Sequence, residues 1–411
     1  MKERIGVIGL GYVGLPLAAA LARHFPVIGC DIDSWRINGL RLGIDATKTF
    51  AAEELQQLSL TFTDKFADLT NCTCFIVCVP TPVKANKSPD LEPLKSACRS
   101  ITQVIRPGSL VIFESTVYPG CTEEICIPIL DNSGVNFVVG YSPERLSPGD
   151  SDRSLAKVVK AIAGDSPATT DRMEKIYSFI IAAGIHRAPS IKVAEFSKVL
   201  ENCQRDVNIA LMNEAARICG ELGISIWDVL ATAKTKWNFA PYTPGLVGGH
   251  CIGVDPYYLI AAAQSLGLSL YPNEGSVLRS ARQINEEMVG YIGQEAIALL
   301  KTLTHPADGK VLILGLTFKE NVPDCRNSKA IALQVYLEGY GVQVAAFDPL
   351  VANNPPSAAD LVILAVPHDQ FLAKDAALVK QTLSPNCILM DLKGALLPWR
   401  NRLDVATYWT L

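Results

Sequence analysis

Apolar and polar positions in the first third of the chain alternate between short β-branched runs and helical stretches. The apolar runs predict buried strands over residues 4–9, 26–31, 74–79, 110–114 and 137–141. Strands that alternate with helices are typical of a parallel, doubly wound α/β sheet. A ligand of such a sheet lies beyond the carboxyl ends of the strands, so we expect a binding site at that edge.

A long helical pattern without proline follows, from Ile191 to about Gly220. Its apolar residues recur at spacings of three and four, which predicts that this stripe faces a core: Val193, Phe196, Leu200, Cys203, Val207 and Leu211. A helix of this length predicts a link between two domains and a subunit contact. Helix is predicted again to about residue 235, then a loop rich in proline and glycine over 241–253, then helix to about 303.

Residues 304–309 read as a domain boundary, beyond which strand and helix patterns alternate again. The predicted strands there cover residues 310–315, 342–348, 360–366 and 387–391. We therefore predict an α/β protein with two Rossmann-like doubly wound domains, joined by a long central helix and a helical dimerisation domain. The predicted domains are residues 1–188, 189–303 and 304–411.

The composition excludes several classes of protein. Hydrophobic residues make up 49% of the 411 residues and charged residues 19%, which argues against a disordered chain. A net charge of −4 with both signs interspersed gives no broad basic face for nucleic acid. No apolar run is long enough to predict a membrane span. The twelve cysteines lack CxxC pairs and the five histidines are scattered, so we expect no metal site and reduced thiols in a cytoplasm.

A glycine-rich turn after the first predicted strand has the spacing of a dinucleotide fingerprint. Gly9 permits a tight turn, Gly11 lets a pyrophosphate approach the backbone, and Gly14 lets the following helix pack on the strand. Asp31 closes the next strand, where a carboxylate can bind a ribose 2′-hydroxyl and repels a 2′-phosphate. The turn thus predicts NAD rather than NADP. The alternative for Asp31 is a solvated residue at a strand end.

The matching turn in the C-terminal third differs. Gly315-Leu316-Thr317-Phe318-Lys319-Glu320 has one glycine where a fingerprint would have three, so we expect no dinucleotide there. An aromatic ring beside a lysine suits the ring and phosphate of a nucleotide-linked sugar. The alternative is a core phenylalanine and a surface lysine.

Lys198 and Asn202 lie one helical turn apart on the long predicted helix, off its apolar stripe. An ammonium group and an amide N–H on one face can both hydrogen-bond a developing oxyanion. The alternative is a solvated helix face.

Cys251 follows two glycines, Gly248 and Gly249, which permit a backbone bend that exposes its sulfur. A thiol is useful to a nicotinamide enzyme when an aldehyde must be oxidised further, because a thiohemiacetal can lose a second hydride. Asp255 could orient a water molecule, and His250 could tune the site. The alternative is an inert buried thiol. Cys251 thus indicates a four-electron oxidation of an alcohol to an acid.

Thr116 and Glu144 follow two of the predicted strands and should face the crevice. Glu144 could activate a hydrolytic water, and Thr116 could hold that water or the nicotinamide. The alternative for each is strand-end capping.

Taken in order, these motifs resemble the UDP-glucose/GDP-mannose dehydrogenase family along nearly the whole chain. The motifs are Gly-Leu-Gly-Tyr-Val-Gly-Leu-Pro at 9–16, Val-Pro-Thr-Pro at 79–82, Glu-Ser-Thr at 114–116, Ser-Pro-Glu-Arg at 142–145, Lys198 with Asn202, Gly-Gly-His-Cys at 248–251 with Asp255, and Phe-Lys-Glu-Asn at 318–321 followed by Asp324 and Arg326. Within the family, the segments around 142–149 and 244–258 look most like the UDP-N-acetylhexosamine 6-dehydrogenases of bacterial capsule and O-antigen synthesis.

The resemblance implies NAD in the first domain, a UDP-sugar in the third, and a homodimer formed through the central helix. It implies that Cys251 forms a thiohemiacetal and then a thioester, that Lys198 and Asn202 stabilise the oxyanion, and that Asp255, Thr116 and Glu144 assist through water. The implied NAD contacts are Gly9, Gly11, Tyr12, Val13, Gly14, Asp31, Arg36, Thr81, Thr116 and Arg326. The implied UDP-sugar contacts are Glu144, Arg145, Leu146, Lys198, Asn202, Tyr242, Gly248, Phe318 and Lys319.

Three other functions stay open from the sequence. Arg145 stands where glucose-specific relatives have an apolar residue, which favours an acetamido sugar over UDP-glucose. A two-electron β-hydroxyacid dehydrogenase shares the Rossmann domain and the Lys/Asn pair, but gives no reason for the second Rossmann-like domain. A non-catalytic sensor of nucleotide sugars is the third alternative.

Overall fold

A computed structural model of the chain describes residues 3–145, 154–268, 276–303, 309–351 and 357–411. The chain forms two compact units. Unit 1 comprises Met1–Glu201 and Tyr257–Ser269, and unit 2 comprises Asn202–Pro256 and Leu270–Leu411. Each unit contains a sheet covered by helices, which confirms the predicted α/β class with two Rossmann-like sheets and a long central helix. The three domain boundaries stay predictions.

The sheet of unit 1 has, within the described residues, the strand order β3-β2-β1-β4-β5-β6-β7-β8. The strands are β1 (Ile5–Ile8), β2 (Val27–Cys30), β3 (Leu60–Thr63), β4 (Cys74–Val77), β5 (Ser109–Phe113), β6 (Phe137–Tyr141), β7 (Lys160–Gly164) and β8 (Ile185–Arg187). β6 and β7 pair antiparallel, and the other neighbours pair parallel. The order reverses direction between β1 and β4, where a doubly wound sheet binds its ligand.

Helices cover both faces of this sheet. They are α1 (Gly14–Ala22), α2 (Ser34–Arg41), α3 (Ala52–Gln56), α4 (Glu92–Thr102), α5 (Ile127–Leu130) and α6 (Pro167–Tyr177). Leu15 and Ile176 belong to the buried cluster on one face, and Leu94 and Ile101 to the cluster on the other. Because both faces are buried, the strands are nearly continuous apolar runs, which is why the sequence pattern found them. β3, β7 and β8 were not predicted, since they are short and carry Thr, Lys, His or Arg.

The long helix α7 (Ile191–Leu222) ends at Gly223, whose φ is +67°. The prediction that its apolar stripe faces a core is wrong for most of the stripe. Val193, Phe196, Leu200 and Leu211 are exposed, and of the six residues only Cys203 is fully buried. Periodicity shows that a helix has two faces, but it does not show which face its own chain covers.

The buried face of α7 is instead rich in polar side chains. Glu195, Lys198, Asn202, Asp206 and Asn213 are all buried, at spacings of three, four and seven residues. Long polar side chains are rarely buried unless they are paired or functional. The burial of this face therefore points to α7 as an element of a functional site.

The sheet of unit 2 has the order β10-β9-β11-β12-β13, with all neighbours parallel. Its elements and those before it are α8 (Ile226–Ala233), α9 (Asp255–Ser265), α10 (Val277–Leu300), β9 (Lys310–Leu314), α11 (Lys329–Gly339), β10 (Gln343–Phe347), β11 (Ala359–Leu364), α12 (Asp369–Lys380), β12 (Leu383–Asp391) and β13 (Thr407–Thr410). The order reverses between β9 and β11, which is the ligand-binding position of the flavodoxin-like variant of the doubly wound fold. In the part of the chain that the structure describes, no helix has the length and apolar character of a membrane span.

Candidate functional site

The turn between β1 and α1 is shaped by its three glycines. A Cβ on Gly9, whose φ is +90°, would lie 2.8 Å from the carbonyl oxygen of Cys78. A Cβ on Gly14 would lie 1.8 Å from the carbonyl oxygen of Gly9. A Cβ on Gly11 would meet no described atom within 4 Å. The outer glycines are thus required by packing, while the middle one leaves space for a ligand, which fits the pyrophosphate of a dinucleotide.

Asp31 lies directly after β2 and is half-buried. Its Oδ2 accepts the N–H of Leu10, in the glycine turn, at 2.7 Å. Arg36 donates from Nε to the carbonyl oxygen of Leu10 at 3.0 Å and forms an ion pair with Asp45 at 2.7 Å. Asp31 and Arg36 therefore fix the glycine turn from the β2 side, where the ribose of a dinucleotide binds in this fold.

A second loop lies beyond β4. Thr81 is half-buried, and the hydroxyl of Tyr258 donates to the carbonyl oxygens of Thr81 (3.0 Å) and Pro82 (3.2 Å). Tyr12 and Val13, in the glycine turn, are also half-buried. Tyr258 was quoted only as part of a motif, and its anchoring role could not be read from that motif.

The loops after β5 and β6 carry the next predicted residues. Thr116 is half-buried, and Glu144 is 8% exposed. Arg145 donates from Nη2 to Glu201 at 2.6 Å and from Nη1 to the carbonyl oxygen of Val159 at 3.2 Å. Leu146, a predicted sugar contact, lies outside the described residues.

Glu144 and Arg145 line one pocket of unit 1. The other residues that line it are Leu155, Val158, Val159 and Lys160. The pocket thus places a carboxylate and two cations beside apolar side chains. Lys160 was not singled out from the sequence, because nothing in its strand distinguishes it from a surface lysine.

The N-terminal part of α7 carries Glu195 and Lys198, both buried. The Glu195 carboxylate accepts the backbone N–H groups of Gly120 and Thr122, the latter at 2.9 Å, in the chain that follows Thr116. Burial raises the pKa of Glu195 to about 7, although these hydrogen bonds oppose the rise. Glu195 was not predicted, and it ties α7 to this segment.

Asn202 and Asp255 contact each other in unit 2. The Asn202 amide donates from Nδ2 to Oδ2 of Asp255 at 2.6 Å, and both residues are buried. Asp255 is the first residue of α9, and its backbone N–H donates to the carbonyl oxygen of Cys251 at 2.8 Å. The predicted Asn202, Asp255 and Cys251 are therefore connected by consecutive hydrogen bonds.

Cys251 lies in the turn that leads into α9. Of the twelve cysteines, all within the described residues, only Cys251 is exposed, and none forms a disulfide. The positive end of a helix dipole favours a thiolate over a thiol. Exposure and this position both suit a nucleophile, and they argue against the inert thiol.

The loop that carries Cys251 packs closely on the loop after β9. A Cβ on Gly248 would lie 2.7 Å from the carbonyl oxygen of Asn327, and one on Gly249 would lie 2.6 Å from the ring of Phe318. The N–H of Gly249 donates to the carbonyl oxygen of Asn327 at 3.3 Å. Both glycines are needed for this approach, which brings the predicted Phe318 against the cysteine loop.

Polar groups continue this contact. Asp324 accepts Arg326 Nη2 at 2.7 Å and lies 3.1 Å from Nε2 of His250, whose ring meets Phe318 edge to face. Although burial opposes ionisation, hydrogen bonds from Arg326 and His250 lower the pKa of Asp324 to about 2. Burial lowers the pKa of His250, which favours the neutral imidazole. His250 thus serves as a neutral partner of Asp324.

Two more predicted sugar contacts lie in unit 2. Tyr242 is half-buried, and its hydroxyl lies 3.2 Å from Oε1 of Gln204 on α7. Lys319, next to Phe318, is half-buried rather than a fully exposed surface residue.

The turn after β9 repeats a hydrogen bond of the turn after β1, but the carboxylate that accepts it has different surroundings. The N–H of Leu316 donates to Asp348 Oδ2 at 2.6 Å, as Leu10 donates to Asp31 at 2.7 Å. Asp348, however, is fully buried, and His368 Nε2 lies 2.9 Å from it. This carboxylate is therefore closed to a ribose hydroxyl, whereas Asp31 is half-buried.

Comparison with known families matches three long segments of the chain to domains of one family. Residues 3–181 match the NAD binding domain of the UDP-glucose/GDP-mannose dehydrogenase family. Residues 192–287 match the central domain of that family, and residues 312–398 match its UDP binding domain.

The individual relatives that match this chain include dehydrogenases of nucleotide sugars. The chain is 46% identical to a UDP-N-acetyl-D-glucosamine 6-dehydrogenase of Pseudomonas aeruginosa, over 96% of this chain and 97% of the relative. It is 42% identical to an enzyme of the same name from Salmonella typhi, over 96% and 97% of the two chains. Among solved structures, a UDP-D-ManNAc dehydrogenase of Pyrococcus horikoshii superimposes with a TM-score of 0.87 at 30% identity, covering 99% of this chain and 98% of that one.

Proposed function

Because the chain belongs to the UDP-glucose/GDP-mannose dehydrogenase family, we propose that it oxidises the C6 hydroxyl of a UDP-N-acetylhexosamine to the uronic acid. The family and the relatives make it an NAD-dependent dehydrogenase of nucleotide sugars. The observation that supports the four-electron version is Cys251, the one exposed cysteine, in a loop that packs on Phe318.

The overall reaction balances with one sugar, two NAD+ and one water. A primary alcohol becomes a carboxylate, and two NADH and three protons are released. When bound, NAD would supply the acceptor for the hydride that leaves the C6 carbon. Gly9, Gly11, Gly14 and Asp31 would hold NAD, since the turn has room at Gly11 and a carboxylate at the ribose position. Tyr12, Val13, Arg36, Thr81, Thr116 and Arg326 are the further contacts that we propose.

Cys251 attacks the aldehyde carbon, and the thiohemiacetal becomes a thioester when a second hydride leaves. Lys198 and Asn202 stabilise the oxyanions of these steps. Both are buried on one face of α7, where low dielectric strengthens such contacts. Asp255, which accepts the Asn202 amide, keeps that amide oriented.

Water then hydrolyses the thioester. Glu144 acts as its general base, and Thr116 helps to hold the water. We propose that Asp255, two per cent exposed and bonded to the backbone of the cysteine loop, also assists through water.

For the sugar, we propose that Arg145 contacts the acetamido group, because its guanidinium lines a pocket with Glu144. Leu146, Tyr242, Gly248, Phe318 and Lys319 are the further sugar and nucleotide contacts that we propose. The names of the Pseudomonas and Salmonella relatives favour the gluco configuration.

A substrate panel with product stoichiometry tests this function. We expect UDP-N-acetylglucosamine to give two NADH per uronic acid formed, with UDP-N-acetylgalactosamine, UDP-N-acetylmannosamine and UDP-glucose oxidised more slowly. NADH is measured by absorbance and the sugar acid by mass spectrometry. One NADH per sugar would instead support the two-electron β-hydroxyacid type, and tight binding without NADH would support a sensor. Preference for UDP-glucose would contradict the role of Arg145.

We propose that α7 also forms a homodimer. Its exposed apolar residues include Val193, Phe196, Leu200, Leu211 and Ile218, each between 42% and 55% exposed. An apolar stripe of this length on one helix is more than a soluble surface normally leaves open, and a second copy of α7 presents the same stripe.

Replacing Phe196 and Leu200 by glutamate should convert the dimer to a monomer, because two charges per subunit would be buried in the interface. Light scattering after size-exclusion chromatography gives the mass. Tyr340→Glu, at a 64% exposed position of unit 2, is the control. A monomeric wild-type protein would show that the stripe is covered in some other way.

The resemblance also leads us to propose a place in the cytoplasmic synthesis of a bacterial capsule or O-antigen, because the proposed product is a nucleotide-activated uronic acid.

A further inference from the structure

A buried ion pair borders the pocket that contains Glu144. Lys160 Nζ, on β7, lies 2.7 Å from Oε2 of Glu114, and the two side chains are only 4% and 0% exposed. The hydroxyl of Tyr177 donates to the other carboxylate oxygen of Glu114. Lys160 Nζ also lies 5.2 Å from the centroid of the Tyr177 ring. The lysine is therefore fixed by two side chains rather than held in solvent.

Lys160 also contacts the segment that carries Glu144. Its Nζ donates to the carbonyl oxygen of Pro143 at 3.4 Å, which is the peptide immediately before Glu144. Lys160 and Glu144 line the same pocket. One ammonium group thus bonds both the buried Glu114 carboxylate and the peptide that precedes Glu144.

Stability alone does not explain such a pair. Removing two charges from water costs several kcal/mol per ion, and an apolar pair of similar volume is often as stable. A cation placed between Glu114 and the segment of Glu144 has a chemical consequence instead, because like charges at close range disfavour ionisation of both unless a cation compensates.

We propose that Lys160 is a positioning residue for the hydrolytic step: it holds the Pro143–Glu144 peptide and offsets the charge of Glu114 near the carboxylate that takes a proton from the attacking water. This inference rests on the function proposed for Glu144. Water adds to the thioester carbonyl carbon while one of its protons passes to the Glu144 carboxylate. The C–S bond then breaks, its electron pair goes to the Cys251 sulfur, and the proton on Glu144 is released to solvent.

The titratable side chains near Lys160 come from several elements of unit 1, and their charges bear on this role. Glu114 comes from the end of β5, Glu144 from the segment after β6, Tyr177 from α6, and Cys78 from the end of β4. Burial raises the pKa of Glu114, Lys160 lowers it, and the charge of Glu144 raises it again. Burial and the charges of Glu114 and Glu144 also raise the pKa of the Cys78 thiol, so it stays neutral.

Arg145 is the other cation of the pocket, but it is bonded to Glu201 and to the carbonyl oxygen of Val159. Cys74, which interacts with Tyr177, has its pKa raised by burial and is neutral too. Lys160 is thus the cation bonded directly to Glu114 and to the peptide before Glu144.

The test measures breakdown of the Cys251 acyl-enzyme against pH in single-turnover experiments, with the thioester followed by intact-protein mass spectrometry. Lys160→Met should slow this breakdown by roughly 10-fold or more at neutral pH, the scale of general-base catalysis. It should also move the acid limb of the pH profile upward by about one unit, the scale set by a close opposite charge. NADH formation before the thioester should change much less.

Matched variants separate positioning from folding. Lys160→Arg keeps the charge and should keep the wild-type pH profile. Glu114→Gln removes the competing carboxylate and should move the acid limb downward, which keeps the proposal testable if Lys160→Met does not fold. Lys157→Met, an exposed lysine three residues away, is the control for the substitution itself.

Opposite shifts in Lys160→Met and Glu114→Gln support the inference, because a merely structural role would not move the two profiles in opposite directions. An unmoved profile in both variants, with a wild-type acyl-enzyme present, overturns the inference alone. A wild-type enzyme that forms no acyl-enzyme overturns the proposed function and this inference with it.

Discussion

Cys251→Ser should lower the rate of uronic acid formation by roughly 1,000-fold or more, the scale on which removal of a covalent nucleophile is felt. A serine hydroxyl is a weaker nucleophile toward an aldehyde than the exposed thiol that precedes α9. Without the thiol the aldehyde has no covalent partner from which a second hydride can leave.

NADH release and acid formation are measured together for this variant. Cys325→Ser, at a half-buried cysteine of the same unit, is the matched control and should retain most activity. If Cys251→Ser still produces acid at a rate near that of the wild type, the thioester mechanism is wrong. If it produces one NADH per sugar and accumulates aldehyde, the first oxidation does not need the thiol and only the second does.

Arg282→Met should destabilise the protein by about 3–5 kcal/mol near pH 8, the cost of leaving a buried charge without its partner. Arg282 on α10 lies 2.5 Å from Asp206 Oδ1, and the two side chains are 3% and 0% exposed. Asp206 also accepts the amide of Asn285 at 2.8 Å. Removal of the guanidinium leaves one amide to stabilise a buried carboxylate.

The destabilisation caused by Arg282→Met should become smaller as the pH falls. Burial raises the pKa of Asp206 above its usual range, while Arg282 lowers it, so we expect the pKa to be higher still in the variant. An acid whose folded pKa is raised holds its proton more tightly in the folded state. The destabilisation of the variant is therefore complete above the pKa of Asp206 in the folded state. It disappears as the pH falls toward the pKa of Asp206 in the unfolded state.

Thermal unfolding at several pH values between 5 and 8 measures this effect, with a decrease in melting temperature on the order of 10 °C at the upper end. Arg279→Met makes the same change at an exposed position of α10 and should alter stability by less than about 0.5 kcal/mol. Arg282→Met combined with Asp206→Asn should recover part of the loss. Equal destabilisation at every pH would show that Asp206 stays ionised without its partner.

The hydrophobic pattern of the sequence predicted much of the fold, because many strands and helices can be recognised from residues close together in the chain. The strands of both sheets that are apolar on both faces were predicted, and so was α7, because a continuous apolar run or a sustained helical period needs no partner to be recognised. β3, β7, β8 and β13 were missed, since each lies at or near a sheet edge and carries polar residues. Leu146 lies outside the described residues, so its predicted role stays a prediction.

Some features of the candidate site could likewise be predicted from the sequence, and others are visible only in the folded chain. The glycine turn could be read because each of its glycines has a steric reason that follows from spacing, and the structure gives that reason in distances from Gly9, Gly11 and Gly14. Asn202 and Asp255 were proposed separately, and only the folded chain joins them by a hydrogen bond. Asp324 was part of a quoted motif, but its contact with His250 required the loop after β9 to meet the cysteine loop.

The amino-acid sequence by itself determined the kind of elements, the glycine turn that suits a dinucleotide, and the residue types for a covalent oxidation, since these depend on neighbours a few positions away. Tertiary structure alone decided which face of α7 is covered, that Lys160 pairs with Glu114, and that His368 closes the carboxylate of Asp348. The reason is physical: burial and ion pairing depend on partners tens of residues away, and neither hydropathy nor spacing identifies them.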